Sequence, residues 1–349
     1  MTPFEYNILA STRRVMIKTF VCFLILCLAA VVAHGKIVEL TLHPVKVAEP
    51  AETYRLLVNT DKQTDADAVP LYEKAIQSMP KGVDKKQIYE WLKMPIEQLP
   101  QEEAEKVIQK HIESLRLVAR ATRCKKCNWP EWKPGTDPPD MKGYRDLTFV
   151  IRLWARLEVC RGRYKNATVA MQTAFGMAQH LGQAPTIVQT LVGAAAGGSM
   201  CRELEQFVQA KDSPNLHGAL VNLPEPLIGV EKAIESERTN LKDHNILVRM
   251  QMEKILKPAH DRTRMITKRL DNHVNALQVV EAIRHYAATH DGQLPQALSD
   301  IKEMDVPNDL ISGKAFEYRR TTTGATLQSA IPKGGNERDA IHYEITLKK

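Results

Sequence analysis

Apolar positions recur at intervals of three and four along most of the chain, the spacing that places side chains on one face of an α-helix. The pattern is cleanest between Leu147 and Gln206, where it predicts helices over Leu147–Cys160, Tyr164–Leu181 and Pro185–Gln206. Leu147, Val150, Ile151, Trp154, Leu157 and Val159 carry the stripe of the first. Arg161-Gly162-Arg163 is then a sharp reversal, for which glycine supplies the backbone freedom, and Gly182 closes the second helix. Upstream, helices are predicted over Ala51–Val58, Asp65–Met79, Lys85–Leu92 and Gln101–Thr122, the last with acidic residues in the first turn, where the helix dipole favours them. Downstream, Ser213-Pro214 places a capping residue before proline at a helix start. Asn215–Asn222 is therefore a short helix, followed by long ones from Leu227 to about Leu256 and from about Ala259 to His290.

Two stretches break the period. Cys124–Tyr144 contains Pro130, Pro134, Pro138 and Pro139, and reads as a loop packed by Trp129 and Trp132. After Gly292 the period falls to two. Phe316 and Tyr318, then Ala325–Ala330, then Ile341–Leu347 read as strands, the last alternating at Ile341, Tyr343, Ile345 and Leu347. His34–Glu49 reads as an extended linker. The expected fold is mainly α: an array of helical hairpins with a small C-terminal α+β subdomain, a helix plus a three-stranded antiparallel sheet. The expected divisions are 1–35, a signal or membrane anchor; 36–257, the helical region with its Pro-rich loop at 124–146; and 258–349, a long helix plus the α+β tail.

The N-terminal division rests on an unbroken apolar run, Phe20–Ala33, behind Arg13, Arg14 and Lys18. The run is short of the roughly 20 residues a spanning helix prefers and long for a signal-peptide core. Val15–Ile17 extend it, with Lys18 able to snorkel to the interface, while Val31-Val32-Ala33 offers a cleavage geometry. The expectation is an inner-membrane anchor with the bulk of the chain in the periplasm, or secretion if the segment is cleaved. Thr12-Arg13-Arg14-Val15-Met16-Ile17-Lys18 also resembles a twin-arginine export signal, with Met16 where Phe is usual. With 349 residues, 44% of them hydrophobic, the chain can build a real core. Its +7 charge is spread among acidic residues without a basic, aromatic-rich stripe, so nucleic acid is not an expected partner.

Cys124-Lys-Lys-Cys127 is the sharpest chemical motif. One CxxC supplies two soft ligands where structural zinc wants four, and no second pair lies at finger spacing. It lacks the strand-then-helix setting of a thioredoxin-like site. In an oxidising compartment Cys124 and Cys127 are expected as a disulfide or thiol pair, with zinc at these two residues the weaker alternative. Asn336, Glu337 and Asp339 form an oxygen-rich set that calcium could accept, against a solvated hairpin. Gly193-Ala-Ala-Ala-Gly197-Gly198 lacks the Lys-Ser/Thr of a phosphate loop and marks a tight helix crossing instead. His260, His273 and His285 are expected to be solvated on a charged helix. Glu235, Glu237, Asp243 and Glu253 read as a charged face. No zinc-protease, nucleophile-elbow or dinucleotide fingerprint is present, so no catalytic or cofactor-binding residue is assigned.

Gly162, Tyr164, Ala167 and Ala174 resemble the second half of a tetratricopeptide repeat, and Tyr72-x-x-Ala75 followed by Pro80 does so again. The resemblance implies helix–turn–helix units that bury their apolar faces by stacking and leave a concave surface for protein partners. Gly292-x-Leu294-Pro295-x-x-Leu298, with Pro307-x-Asp309-x-x-Ser312-Gly313-Lys314-x-Phe316-x-Tyr318, resembles the globular head of type II secretion pseudopilins. Pseudopilins, however, carry their apolar helix directly before the head, with a processing signature missing here. The whole arrangement resembles a group of uncharacterised exported bacterial proteins. Together these imply a non-catalytic envelope scaffold, partnered by envelope proteins and by the membrane through the N-terminal apolar helix. The alternatives are a component of secretion machinery or an envelope enzyme.

Overall fold

A computed structural model of the chain describes residues 37–47, 54–81, 84–132, 139–240 and 246–348. The apolar run Phe20–Ala33, with Cys22 and Cys27, lies outside these, as does Asp243. Among the described residues no helix is long and apolar enough to cross a membrane.

The protein is mainly helical. Ten α-helices occur among the described residues: α1 (Val69–Gln77), α2 (Lys85–Trp91), α3 (Gln101–Lys110), α4 (Ile112–Ala121), α5 (Lys142–Cys160), α6 (Tyr164–Gly182), α7 (Ile187–Gln209), α8 (His217–Val221), α9 (Glu231–Asn240) and α10 (Ile246–Thr289). Helices α5, α6 and α7 pack on one another, α7 also lies against α10, and α1 rests on α4. Gly162 adopts φ +66° at the α5–α6 turn. Its N–H and that of Arg163 bond Val159 O and Glu158 O at 2.9 and 2.8 Å, meeting carbonyls the helix end would orphan. The small-residue run does mark close crossings. A Cβ on Gly193 would lie 2.8 Å from Ala178 O of α6, and one on Gly197 would lie 2.9 Å from Leu270 Cδ2 of α10.

Several boundaries differ from the sequence expectation. The predicted helix over Asp65–Met79 begins only at Val69, because Thr64–Asp67 is a strand, β2, paired in parallel with β3, Cys124–Lys126. Asp67 enforces the switch: its Oδ1 accepts from Val69 N at 3.1 Å and from Asn128 N at 3.0 Å. The Cys124–Tyr144 stretch is thus not wholly loop. Gln101–Thr122 is two helices, broken where His111 leaves helical geometry (φ −100°, ψ 7°). The described part of the predicted Ala51–Val58 helix, 54–58, is not helical. Pro258, expected to separate two helices, lies inside α10. It is exposed, as is Lys254 four residues earlier, so water can meet the carbonyl that proline leaves without a donor.

The tail sheet is larger than expected. Strands β4 (Glu317–Arg320), β5 (Ala325–Gln328) and β6 (His342–Leu347) form the predicted antiparallel set. A fourth strand, β1 (Val38–Leu42), pairs in parallel with β6, from Val38 opposite Tyr343 to Leu42 opposite Leu347, giving the order β1-β6-β5-β4. The expected linker is therefore a sheet edge. Its alternation explains why: Leu40 and Leu42 are fully buried, while Glu39 and Thr41 point outward. These leucines join Val279, Val280 and Ile283 of α10 and Leu327, Tyr343 and Ile345 of the sheet in one core. A second, larger core fills the helical body.

Arg284 holds the two parts together. It is fully buried and bonds Glu281 Oε2 at 2.8 Å, Ser213 O and Oγ at 2.9 Å, and His43 O at 3.2 Å. Glu281 accepts in turn from Leu216 N at 2.9 Å. One ion pair thus ties the exit of β1, helix α10 and the loop before α8.

Candidate functional site

A concavity of about 260 Å³ opens where α5, α7 and α10 meet the start of β6. The apolar stripes of the helices supply one wall, with Phe149, Val192, Ile266 and Leu270. Ala194–Ala196, Gly198 and Ser199 give α7 a low profile here, and a Cβ on Gly198 would meet nothing within 4 Å. Charged residues share the lining. Four arginines, Arg145, Arg152, Arg202 and Arg269, face two carboxylates, Glu205 and Asp339, beside His273 and His342.

Most of these charges are engaged. Arg152 grips Glu203 Oε1 through Nε and Nη2 at 3.1 and 2.7 Å, and Glu203 also contacts Arg156 Nη1 at 3.4 Å. Arg156 donates onward to Leu92 O and Met94 O at 3.0 and 2.6 Å. Glu203 is fully buried, and two guanidiniums and their hydrogen bonds offset its desolvation. Glu205 Oε1 accepts from Tyr343 Oη at 2.9 Å and lies 2.8 Å from His273 Nε2, joining α7, α10 and β6. Arg269 pairs with Asp339 at 2.7 Å. Arg202 differs. It makes no hydrogen bond or ion pair within the described residues, and its Nε is buried without a partner. Burial and the neighbouring Arg152 guanidinium push its pKa down to about 10.

The residues singled out from the sequence lie elsewhere. Cys124, the first residue of β3, and Cys127, just past its last, are buried free thiols, as Cys160 and Cys201 are free. Burial raises both thiols of the motif, Cys127 to about 12, so each is protonated at neutral pH. Their surroundings are aromatic. Trp129 stacks on Tyr72 with ring centres 6.4 Å apart, and Tyr144 meets Tyr72 edge-on at 5.9 Å. Tyr72 Oη lies 2.8 Å from His180 Nδ1, and Trp129 Nε1 donates to His180 O at 2.7 Å. Burial drives the His180 pKa down to about 4, and the ring also bonds the Cys124 backbone. The neutral imidazole is thereby spent on fixing the loop to α6. Among the described residues no group of three or more His, Cys, Asp or Glu is placed to hold a metal. That bears on zinc at Cys124 and Cys127 and on calcium near Asn336, Glu337 and Asp339. There Asn336 and Asp339 cap a single 3-10 turn, Glu337–Asp339, and Asp339 is also the partner of Arg269.

Ala167 and Ala174 are fully buried, as the close packing of α6 requires. The Tyr164 ring meets Phe207 of α7 edge-on at 5.3 Å, and its hydroxyl donates to Lys211 O. The histidines of α10 are not solvated: His260 pairs with Glu237 at 3.1 Å, and His285 Nδ1 accepts from Val47 N at the same distance. Sequence reading missed the cleft because its residues come from six separated segments. Only the Gly193–Gly198 run pointed there. The chain matches no protein-family model, no curated protein and no solved structure.

Proposed function

We propose that the protein is a non-catalytic scaffold of the bacterial envelope, anchored or exported through its N-terminal apolar run, which binds other envelope proteins. The observation that carries this reading is where the buried ionisable groups are spent. Arg152–Glu203–Arg156, Arg284–Ser213, His260–Glu237 and Tyr72–His180 each join different segments of the chain. Strongly coupled groups of this kind mark either a catalytic centre or a framework, and here each has a framework partner. The α5–α6 hairpin, with Gly162 at its turn and Ala167 and Ala174 in its seam, supports the tetratricopeptide-like version, as does the full burial of Tyr72 and Ala75 in α1. Crosslinking the exported chain in its own cells tests the proposal. One or more envelope proteins should be recovered reproducibly, and recovery of none would overturn it.

A second reading has a specific observation in its favour. A long helix running into an antiparallel β4-β5-β6 sheet, with Asp309 pinning the turn before β4, is the order that resembles a pseudopilin head. Asp309 accepts from Ile311 N, Ser312 N and Ala330 N at 3.0, 3.2 and 3.0 Å. On that reading the crosslinked partners are secretion-machine components. The parallel edge strand β1 counts against it, since it covers the sheet edge with a segment from upstream of the helical body.

A further inference from the structure

We infer that the cleft between α5, α7, α10 and β6 is a binding site for a small amphiphilic anion, a carboxylate or phosphate on a short apolar body, with the oxyanion held by Arg202. This goes beyond the scaffold reading and does not depend on it. A guanidinium beside a cavity ordinarily finds a carboxylate or carbonyls for its donors. Of the arginines that line this cleft, Arg152 and Arg269 have done so. Exposed Arg145 can turn to water, whereas Arg202 has a buried Nε with no partner among the described residues. Its two nearest carboxylates in sequence are committed elsewhere, Glu203 to Arg152 and Arg156, and Glu205 to Tyr343 and His273. Burial and Arg152 lower the Arg202 pKa, and the nearby Glu205 and Glu203 carboxylates offset this only in part.

The shape of the cleft supplies the rest of the ligand. A bare inorganic anion needs only the charged residues, yet Phe149, Val192, Ile266 and Leu270 line the same cleft. Between them α7 is shaved to alanine, glycine and serine, leaving open space above Gly198. A volume of about 260 Å³ is at the small end of ligand sites, which suits a compact organic anion better than a polymer. The Ser199 hydroxyl, one turn before Arg202 on the same helix, lines the same wall and can add a donor.

The purified exported chain is titrated calorimetrically with octanoate, octyl phosphate, inorganic phosphate and 1-octanol, and its Tm is followed with each. Octanoate or octyl phosphate should bind and raise the Tm, whichever headgroup is preferred, with inorganic phosphate at least tenfold weaker and 1-octanol not binding. Arg202→Met keeps the stem and removes the unpaired charge. It should weaken binding at least tenfold while leaving the Tm of the ligand-free protein unchanged or higher, the reverse of what a structural arginine would give. Gly198→Leu fills the cleft from a position with room for a side chain, and should abolish binding with the fold intact; it carries the test if Arg202→Met does not fold. Three results overturn the inference: no binding by either amphiphile at millimolar concentration, equal binding of 1-octanol and octanoate, or unchanged binding by both variants. Partner capture that persists in Arg202→Met leaves the scaffold reading untouched in every case.

Discussion

At the scale of single residues, burial sets the chemistry and most of the buried charges have been matched. Asp271 is the exception with a measurable consequence. Its side chain is buried in α10, where it accepts from Leu227 N at 2.8 Å. Burial, with the Glu225 carboxylate nearby, raises its pKa from 3.8 to about 6 against the pull of that hydrogen bond. A raised carboxylate favours the folded state when protonated, so its contribution is full below pH 4 and is lost as pH climbs through about 6. At pH 7.5 the ionised form therefore weakens the fold. Asp271→Asn keeps an acceptor for Leu227 N and removes the charge. Two pKa units bound the gain near 3 kcal/mol, and the weaker amide hydrogen bond reduces it to about 1–2 kcal/mol. Urea melts at pH 7.5 and pH 4 check this: the variant should be the more stable at the higher pH and indistinguishable at the lower. A variant less stable at both would show that the carboxylate is needed as an anion.

At the scale of elements, α7 owes its position to the small residues that let it pass close to both α6 and α10. The glycines of this run are not equivalent. Gly193 faces the Ala178 carbonyl, backbone that cannot swing aside, whereas Gly198 faces open space. Alanine at either position should gain up to about 1 kcal/mol of helix propensity. At Gly198 that gain should appear in full as a higher Tm. At Gly193 it should be overridden by the overlap, giving a net loss of about 1–3 kcal/mol. Equal shifts in the two thermal melts would contradict the crossing. The run itself was legible in the sequence, as were the α5–α6 turn, the tail strands and helices α5, α6 and α7, because periodicity and glycine act locally; the break at His111 and the passage of α10 through Pro258 were not. Pairing was not. Nothing local in Val38–Leu42 says that it meets Tyr343–Leu347, so the segment looked like a linker. Tyr164 likewise announced a packed tyrosine without announcing that Phe207 receives it. The cleft was hidden for the same reason: Arg202 looks like any helix-surface arginine until Glu203 and Glu205 are seen to be taken.

At the scale of the whole molecule, β1 makes the first described segment and the last one neighbours, with α10 running beneath both cores. The helical body and the tail should therefore unfold together rather than as separate domains, even though each has its own apolar cluster. Arg284 is the residue on which that coupling turns, since its guanidinium reaches Glu281, Ser213 and the carbonyl of His43 just past β1. Arg284→Ala would strand the Glu281 carboxylate with only the Leu216 amide to satisfy it, a loss expected to cost about 3–5 kcal/mol. The loss should fall unevenly. Helices α5, α6 and α7 keep their mutual packing and the Arg152–Glu203–Arg156 network, while β1 loses one of the contacts that hold its exit, leaving Val45 N on Arg284 O and Val47 N on His285 to hold its register against β6 less firmly. Hydrogen exchange resolves the two: amides of β1, β6 and the last turns of α10 should lose protection ahead of α5–α7, turning one cooperative melt into two. Uniform loss of protection would mean that the cores are coupled through the α7–α10 packing rather than through the ion pair. Arg284→Met paired with Glu281→Leu then separates charge from packing, because replacing a buried ion pair by apolar side chains of similar size can restore stability. If the double variant recovers a single transition, the coupling is volume filling; if it stays split, the coupling depends on the hydrogen bonds Arg284 makes to Ser213 and His43.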